Sequence, residues 1–158
     1  MSVPPVPGPD NHYLSEHIEL LRSSLRRLTG RDLVAADLCP ARAAERIYHA
    51  PFAVLSHDAA DDPVLTYANR CALELFELSW EQLVRTPSRL TAEAPQREER
   101  ARLLARVSAK GYVDDYAGVR VSRTGRRFRI EAATVWNLLD GMGNRCGQAA
   151  TFSRWWPL

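Results

Sequence analysis

"GVRVSRTGRRFRIEAATVWNLLDGMGNRCGQAATFSRW", residues 118–155, decides the fold. Apolar and β-branched residues alternate here with polar ones, at the period of two that sends successive side chains to opposite faces of a strand. Two glycine-bearing stretches interrupt the alternation, "RTG" at 123–125 and "GMGN" at 141–144, and short loops of this kind join hairpins. Three strands are predicted in or overlapping this stretch: "YVDDYAGVRVS", "RRFRIEAATVWNLLD" and "CGQAATFSRW". The stretch is aromatic at some positions, basic at others, and poor in the usual catalytic residues.

Upstream, "FAVLSHD", the turn-rich gap "AADDP" and "VLTYAN" read as strand, turn, strand. Short helical patterns fill the space between the two groups of strands. "RCALELFEL" is amphipathic, with Cys71, Leu75 and Leu78 on one side. Ser79 and Gln82 have the spacing of a capping box. "AEAPQREERARLLARVSAKG" turns Leu103, Leu104 and Val107 inward and stops at Gly111. Before the first strand, His12 to Leu28 carries Leu14, Ile18, Leu21, Leu25 and Leu28 at steps of three and four, one apolar stripe on a helix that ends at Gly30. That stripe must cover either the protein's own core or a second subunit.

Two strands early and three late form one sheet only if the ends of the chain meet. The fold class expected is therefore α+β: a single antiparallel five-stranded sheet, short helices gathered on one face, and an amphipathic N-terminal helix. The chain of 158 residues has room for one core. Residues 1–11, rich in proline, are expected as a flexible leader and residues 12–158 as the single domain. A net charge of +2, from 21 basic and 19 acidic residues, supplies no general field for nucleic acid or anionic lipid. No apolar run approaches the roughly 20 residues of a membrane span, so a cytoplasmic location is expected.

This element order resembles the PAS fold. "VLTYAN" ending in Asn69, the following "CALELF" helix, "SWEQLV", and the final hairpin "LLDGMGNRCGQAATF" carry the resemblance. A closer similarity is to the MEKHLA family, a PAS-like group found at the end of plant class III homeodomain-leucine zipper proteins and as stand-alone bacterial proteins. Its matching pieces are "APFAVLSHD", "DPVLTYAN", "ALELFELSW", "PSRLTAE", "REERARLL", "GYVDDYAGVRVSRTGRRFRIEAATVWNLLD" and "GQAATFSRW", spread over residues 12–156. The resemblance implies a PAS-like fold and names no reaction. These residues include no homeodomain or zipper, so DNA binding is not implied.

The candidate chemistry is sparse. "SHD", Ser56 to Asp58, holds the residue types of a catalytic triad, but neighbours on a strand point to opposite faces, so His57 and Asp58 are expected to bond to backbone instead. Cys39, Cys71 and Cys146 are odd in number and too widely spaced for zinc, and are expected as reduced thiols packed in the fold. His12, His17, His49 and His57 all precede the region from which haem-binding PAS sensors take an axial histidine. "NRCALELF" is not the reactive-cysteine motif of flavin photosensors. Haem, zinc and covalent flavin are thus disfavoured as cofactors, and a noncovalent flavin or other small organic ligand is left open. Paired acids such as Asp61–Asp62, Glu98–Glu99 and Asp114–Asp115 read as surface charge, and the basic tip Arg123 to Arg127 as a solvated turn.

A pocket between sheet and helices would draw on Tyr67, Asn69, Tyr116, Phe128, Thr134, Trp136, Gln148 and Thr151. Strict alternation puts Trp136 on the face of Phe128 and Ile130, with Arg127, Arg129, Glu131 and Asn137 on the other. The function expected is a sensory or protein-interaction module, working as a homodimer or with a protein partner. An enzyme using the same pocket, with His57 as base, and a ligand-free structural adaptor are the alternatives.

Overall fold

The computed structural model describes residues 4–158, and the side chains of all of these but 94–96. The described chain begins with a 3-10 segment, Pro9–Leu14, and helix α1, Ser15–Thr29. The helix starts at Ser15 and not at His12, because His12, Tyr13 and Leu14 take left-handed backbone angles. Helix α2, Pro40–Tyr48, leads into strands β1, Ala53–Asp58, and β2, Leu65–Ala68. Two short helices follow, α3, Arg70–Phe76, and α4, Trp80–Leu83, then a 3-10 turn at Ser88–Thr91 and the long helix α5, Ala94–Lys110. Strands β3, Tyr112–Val121, β4, Arg127–Leu139, and β5, Arg145–Phe152, complete the main sheet, and β6, Arg154–Pro157, closes the chain.

The local signals act as the sequence suggests. The capping box at Ser79 and Gln82 forms, each side chain serving the other's backbone N–H. Gly30 ends α1 in the left-handed region, and Gly125 and Gly143 supply positive φ at the two hairpin tips.

All strands pair antiparallel in the order β2-β1-β5-β4-β3, so the two halves of the chain meet where β1 joins β5. Among the described residues there are six strands and not five. The segment expected as one last strand breaks at Ser153: its first part pairs with Thr134 to Leu139 of β4, and its second, β6, with Phe128 to Glu131. Opposite that break, Ala132 takes a φ of 52°.

That residue inverts the alternation of β4. Phe128 and Ile130 are buried, Ala132 is exposed, and Ala133 and Val135 continue the face that Ile130 began. Trp136 consequently lies on the face opposite to Phe128, and Asn137 joins the face of Phe128, the reverse of what strict alternation predicts.

Helices cover both faces of the sheet, not one. On the outer face α1 lays down Ile18, Leu21 and Leu25, all buried, and the Leu21 carbonyl accepts a hydrogen bond from Trp136 Nε1 at 3.2 Å. The α1 stripe therefore packs on the protein's own sheet. On the inner face α5 presents Leu103 and Val107, and the Val107 carbonyl accepts from Asn137 Nδ2 at 3.1 Å. Of the expected leader, residues 1–3 lie outside the described residues, while the Pro4 carbonyl accepts from Trp80 Nε1 at 2.8 Å.

Among the described residues no helix is long and apolar enough to cross a membrane, and no three His, Cys, Asp or Glu side chains are grouped to hold a metal. The cysteines are free; Cys39 and Cys146 are exposed and Cys71 half-buried, so the expectation of packed thiols fails for the first two.

Candidate functional site

Between the inner sheet face, α5 and the Ser88–Thr91 turn lies a cavity of about 60 Å³. Its walls are mainly apolar: Leu55 of β1, Leu65 of β2, Phe76 of α3, Leu103 and Leu104 of α5, Ile130, Ala133 and Val135 of β4, and Ala150 and Phe152 of β5. The polar residues lining it are Ser56, His57, Ser88, Thr91, Arg100, Tyr116, Arg120 and Gln148.

Arg120 and Tyr116 share the cavity by strand parity, since residues 116, 118 and 120 of β3 face inward. The Tyr116 ring lies across Gly118, where an added Cβ would run into its hydroxyl and push the ring aside. Arg120 donates to that hydroxyl at 2.9 Å and to the Val119 carbonyl at 2.9 Å, and its guanidinium stands 5.2 Å from the Tyr116 ring centre. Arg100 enters from α5 on the helical face of Leu103, Leu104 and Val107 and donates to Ser88 Oγ. Both arginines are only 8% exposed. Burial, reinforced by the charge of Arg120, lowers the Arg100 pKa to about 10.

His57 closes the β1 side. Its Nδ1 lies 2.7 Å from the Asp58 carbonyl, which can only accept, so Nδ1 carries the proton and Nε2 is left as an acceptor. Burial pulls its pKa down to about 4 and keeps the ring neutral at neutral pH. Asp58 accepts from the Ala60 and Val64 amides at 3.2 and 3.1 Å, the backbone role expected of it. Ser56, next to His57, turns to the outer face, where its hydroxyl meets His17 Nε2 at 2.9 Å. Gln148 and Asn137 face each other across β4 and β5, and Gln148 Nε2 donates to Asn137 Oδ1, Ser108 Oγ and the Leu104 carbonyl at 3.1–3.3 Å. His57 Nε2 and Gln148 Oε1 are buried without a hydrogen-bond partner.

Of the eight residues expected at a pocket, Tyr116 and Gln148 line this cavity. Phe128 stands behind it, edge-on to the lining ring of Phe76 at 5.2 Å. Trp136, Thr134 and Thr151 are on the outer face; Thr151 donates to the Ala53 carbonyl at 2.9 Å. Tyr67 packs against His17 of α1 at 5.9 Å, also away from the cavity. Asn69 is fully buried and its amide is saturated: Oδ1 accepts from the Val54 and Ala72 amides, and Nδ2 donates to the Ile47 and Phe52 carbonyls, at 2.8–3.1 Å. It caps α3 and pins β1 to α2. Arg100 and Arg120 were not among the expected residues, although Arg120 shares the parity of Tyr116 and Arg100 the helical face of Val107. At the basic tip, Arg126 pairs with Glu77 at 3.2 Å and Arg127 with Glu93 at 3.6 Å.

The family model for the MEKHLA domain matches residues 15–157. The chain belongs to the MEKHLA domain family. Two curated relatives of this MEKHLA domain are homeobox-leucine zipper proteins of Arabidopsis thaliana, ATHB-14 and ATHB-9, 33% and 30% identical over 94 and 93 residues. Each match takes in 59% of this chain and spans 11% of the relative's length. Among solved structures, the PAS domain of a Colwellia psychrerythraea protein aligns at a TM-score of 0.59 and 15% identity, over 70% of this chain and 91% of that one. An RNA-binding light-oxygen-voltage receptor aligns at 0.62 and 19%, over 75% and 34%. The Aureochrome1 light-oxygen-voltage domain, a blue-light photoreceptor, aligns at 0.53 and 18%, over 78% and 88%. At these identities the neighbours establish a PAS-like fold.

A flavin does not fit the cavity of this MEKHLA domain. The space is about 60 Å³, whereas pockets for molecules of that size run to about 300–1,000 Å³. Cys71 is not in its lining; its thiol donates to the Pro51 carbonyl at 3.7 Å, and burial raises its pKa.

Proposed function

We propose that this protein is a PAS-like sensory module that receives a small molecule in the inner cavity and reports its presence through the packing of α5 and α1. What supports the reading most is the pairing of a space in the core with polar atoms left unpaired around it. Among the described residues three buried side-chain atoms have no partner, and two of them, His57 Nε2 and Gln148 Oε1, belong to residues that line the cavity. Leaving such a group unpaired costs about 1–3 kcal/mol, which an occupant bonding to it would recover.

The route to the surface runs along β4. Asn137 and Gln148 tie the inner face to α5, while on the outer face Trp136 bonds to the Leu21 carbonyl and the Leu139 amide to Ser24 Oγ at 2.8 Å. An occupant that shifts α5 would therefore act on residues one step along the strand from those that hold α1. A ligand moves such an equilibrium only by its preference for one of the two states. The expected homodimer, or a protein partner, belongs to this reading as the receiver of the signal. Its interface would have to avoid the α1 stripe, which the sheet already covers; Trp156 and Leu158 are exposed at the end of the chain.

Native mass spectrometry of freshly purified protein tests the reading. A noncovalent adduct is expected on the wild type and is expected to vanish in Ala133→Leu, which fills the cavity. A bare polypeptide mass in both would remove it.

A further inference from the structure

The cavity's two arginines have no counter-charge. Among the described residues, neither Arg100 nor Arg120 has an ion-pair partner, although eight other pairs form across the protein. Asp62, the carboxylate whose charge partly offsets the lowering of the Arg100 pKa, is itself largely exposed and pairs with Arg89. Two guanidinium groups of like sign thus stand buried on one cavity whose walls are mainly apolar, and the charge of Arg120 adds to burial in lowering the Arg100 pKa. Burying an unpaired charge is costly, and Arg cannot shed its proton as Lys or His can. A packed core of this size gains nothing from two such residues, whereas an anion bound between them would convert the penalty into attraction.

Resting on the sensory reading above, we propose that the cavity binds a small carboxylate that also carries a hydrogen-bond donor, such as a 2-hydroxy acid, with its carboxylate held by Arg100 and Arg120 and its hydroxyl donating to His57 Nε2. Planar guanidinium groups suit a carboxylate because they can donate to both its oxygens. The second half of the assignment follows from the His57 tautomer: with Nδ1–H committed to the Asp58 carbonyl, Nε2 is an acceptor and requires a donor from the ligand. Arg100 and His57 both line the cavity, so one occupant faces both. The volume limits the ligand to a few heavy atoms, since about 60 Å³ is roughly four to six times the ~10–15 Å³ that holds one water molecule.

The test is calorimetric titration of the full-length protein with L-lactate, L-lactamide and inorganic phosphate, together with melting curves of Arg120→Gln and Arg120→Lys. Saturable lactate binding is expected. Loss of the charge in lactamide or in Arg120→Gln should weaken it about tenfold or more, the factor that one charged hydrogen bond supplies. Arg120→Lys should retain part of the affinity. Unliganded Arg120→Gln should melt only slightly lower than the wild type, because removing one of two like charges offsets the hydrogen bonds to Tyr116 and Val119 that go with it. Equal binding of lactate and lactamide, or a response to phosphate alone, would overturn the proposal. So would an unliganded Arg120→Gln that melts well below wild type and a lactate titration without heat. If native mass spectrometry still finds a neutral occupant in any of those cases, the sensory reading survives and only the anion assignment falls; a bare mass removes both.

Discussion

The two faces of one sheet are built from the same strands and do different work. On the outer face, Trp136 is fully buried under α1 with its indole N–H satisfied, and Ser24 and Thr151 bond to backbone. Tyr67 is the exception there, its hydroxyl buried without a partner. On the inner face, β4 and β5 meet α5 through amides and leave a space holding two unpaired guanidinium groups and unpaired acceptors. Adjacent residues show the contrast at its sharpest: Trp136 bonds to α1 and Asn137 to α5. The outer face leaves one buried polar atom without a partner among the described residues, and the inner face leaves two beside a space.

The largest expected effect should come from the outer face. Trp136→Ala removes a fully buried indole and its bond to Leu21, and should lower unfolding free energy by about 4 kcal/mol, read from urea denaturation. Any protein that remains folded should keep its inner occupant. Loss of the occupant at unchanged stability would break the division between the faces.

A pH series sharpens it further, because each face buries one neutral histidine. Burial lowers His17 and His57 from 6.5 to about 4. Above pH 6.5 both are neutral whether folded or unfolded, and their contribution to stability is fully present. As pH falls from 6.5 towards 4 the unfolded chain takes up protons that the folded one refuses, so stability declines, by at most about 1.4 kcal/mol per pH unit for each ring. Urea midpoints between those limits should fall in the wild type and fall less steeply in His17→Gln and in His57→Gln. An unchanged slope in either variant would show that its ring is not held neutral by the fold.

A smaller effect is expected on the inner face. Tyr116→Phe deletes the hydroxyl that Arg120 reaches at 2.9 Å and should cost about 1.5 kcal/mol, the worth of a hydrogen bond to a charged group. Its unfolding curve measures this; a neutral result would mean that Arg120 finds another partner. Least of all, Arg70→Ala removes an exposed pair with Glu74 at 3.4 Å and should change stability by less than about 0.5 kcal/mol in the same measurement.

Much of this was legible in the residues. The hairpin glycines, the capping box at Ser79 and the break at Gly111 are local, and tertiary structure did not override them. The family followed from strings spread along the chain. What could not be read was the inversion at Ala132. Positive φ there has no glycine to announce it, and the pair Ala132–Ala133 is too small to mark which side is inward. Four candidate residues are on the outer face: beyond that inversion Thr134 and Trp136, opposite Thr134 in the register Thr151, and independently of it Tyr67 on β2. Asn69 was visible as an unusual polar residue, but its four backbone partners come from three separate segments that only the fold assembles. Arg100 and Arg120 look like ordinary surface charge in a chain with 21 basic residues.

The division between the faces is tested most directly by comparing amide NMR spectra of ¹⁵N-labelled protein as purified with spectra of the same protein unfolded, dialysed and refolded to strip any occupant. The account predicts shifts centred on Arg120, Ile130, Val135 and Gln148, decaying towards α1. Identical spectra, or shifts centred on Leu21 and Trp136, would contradict it.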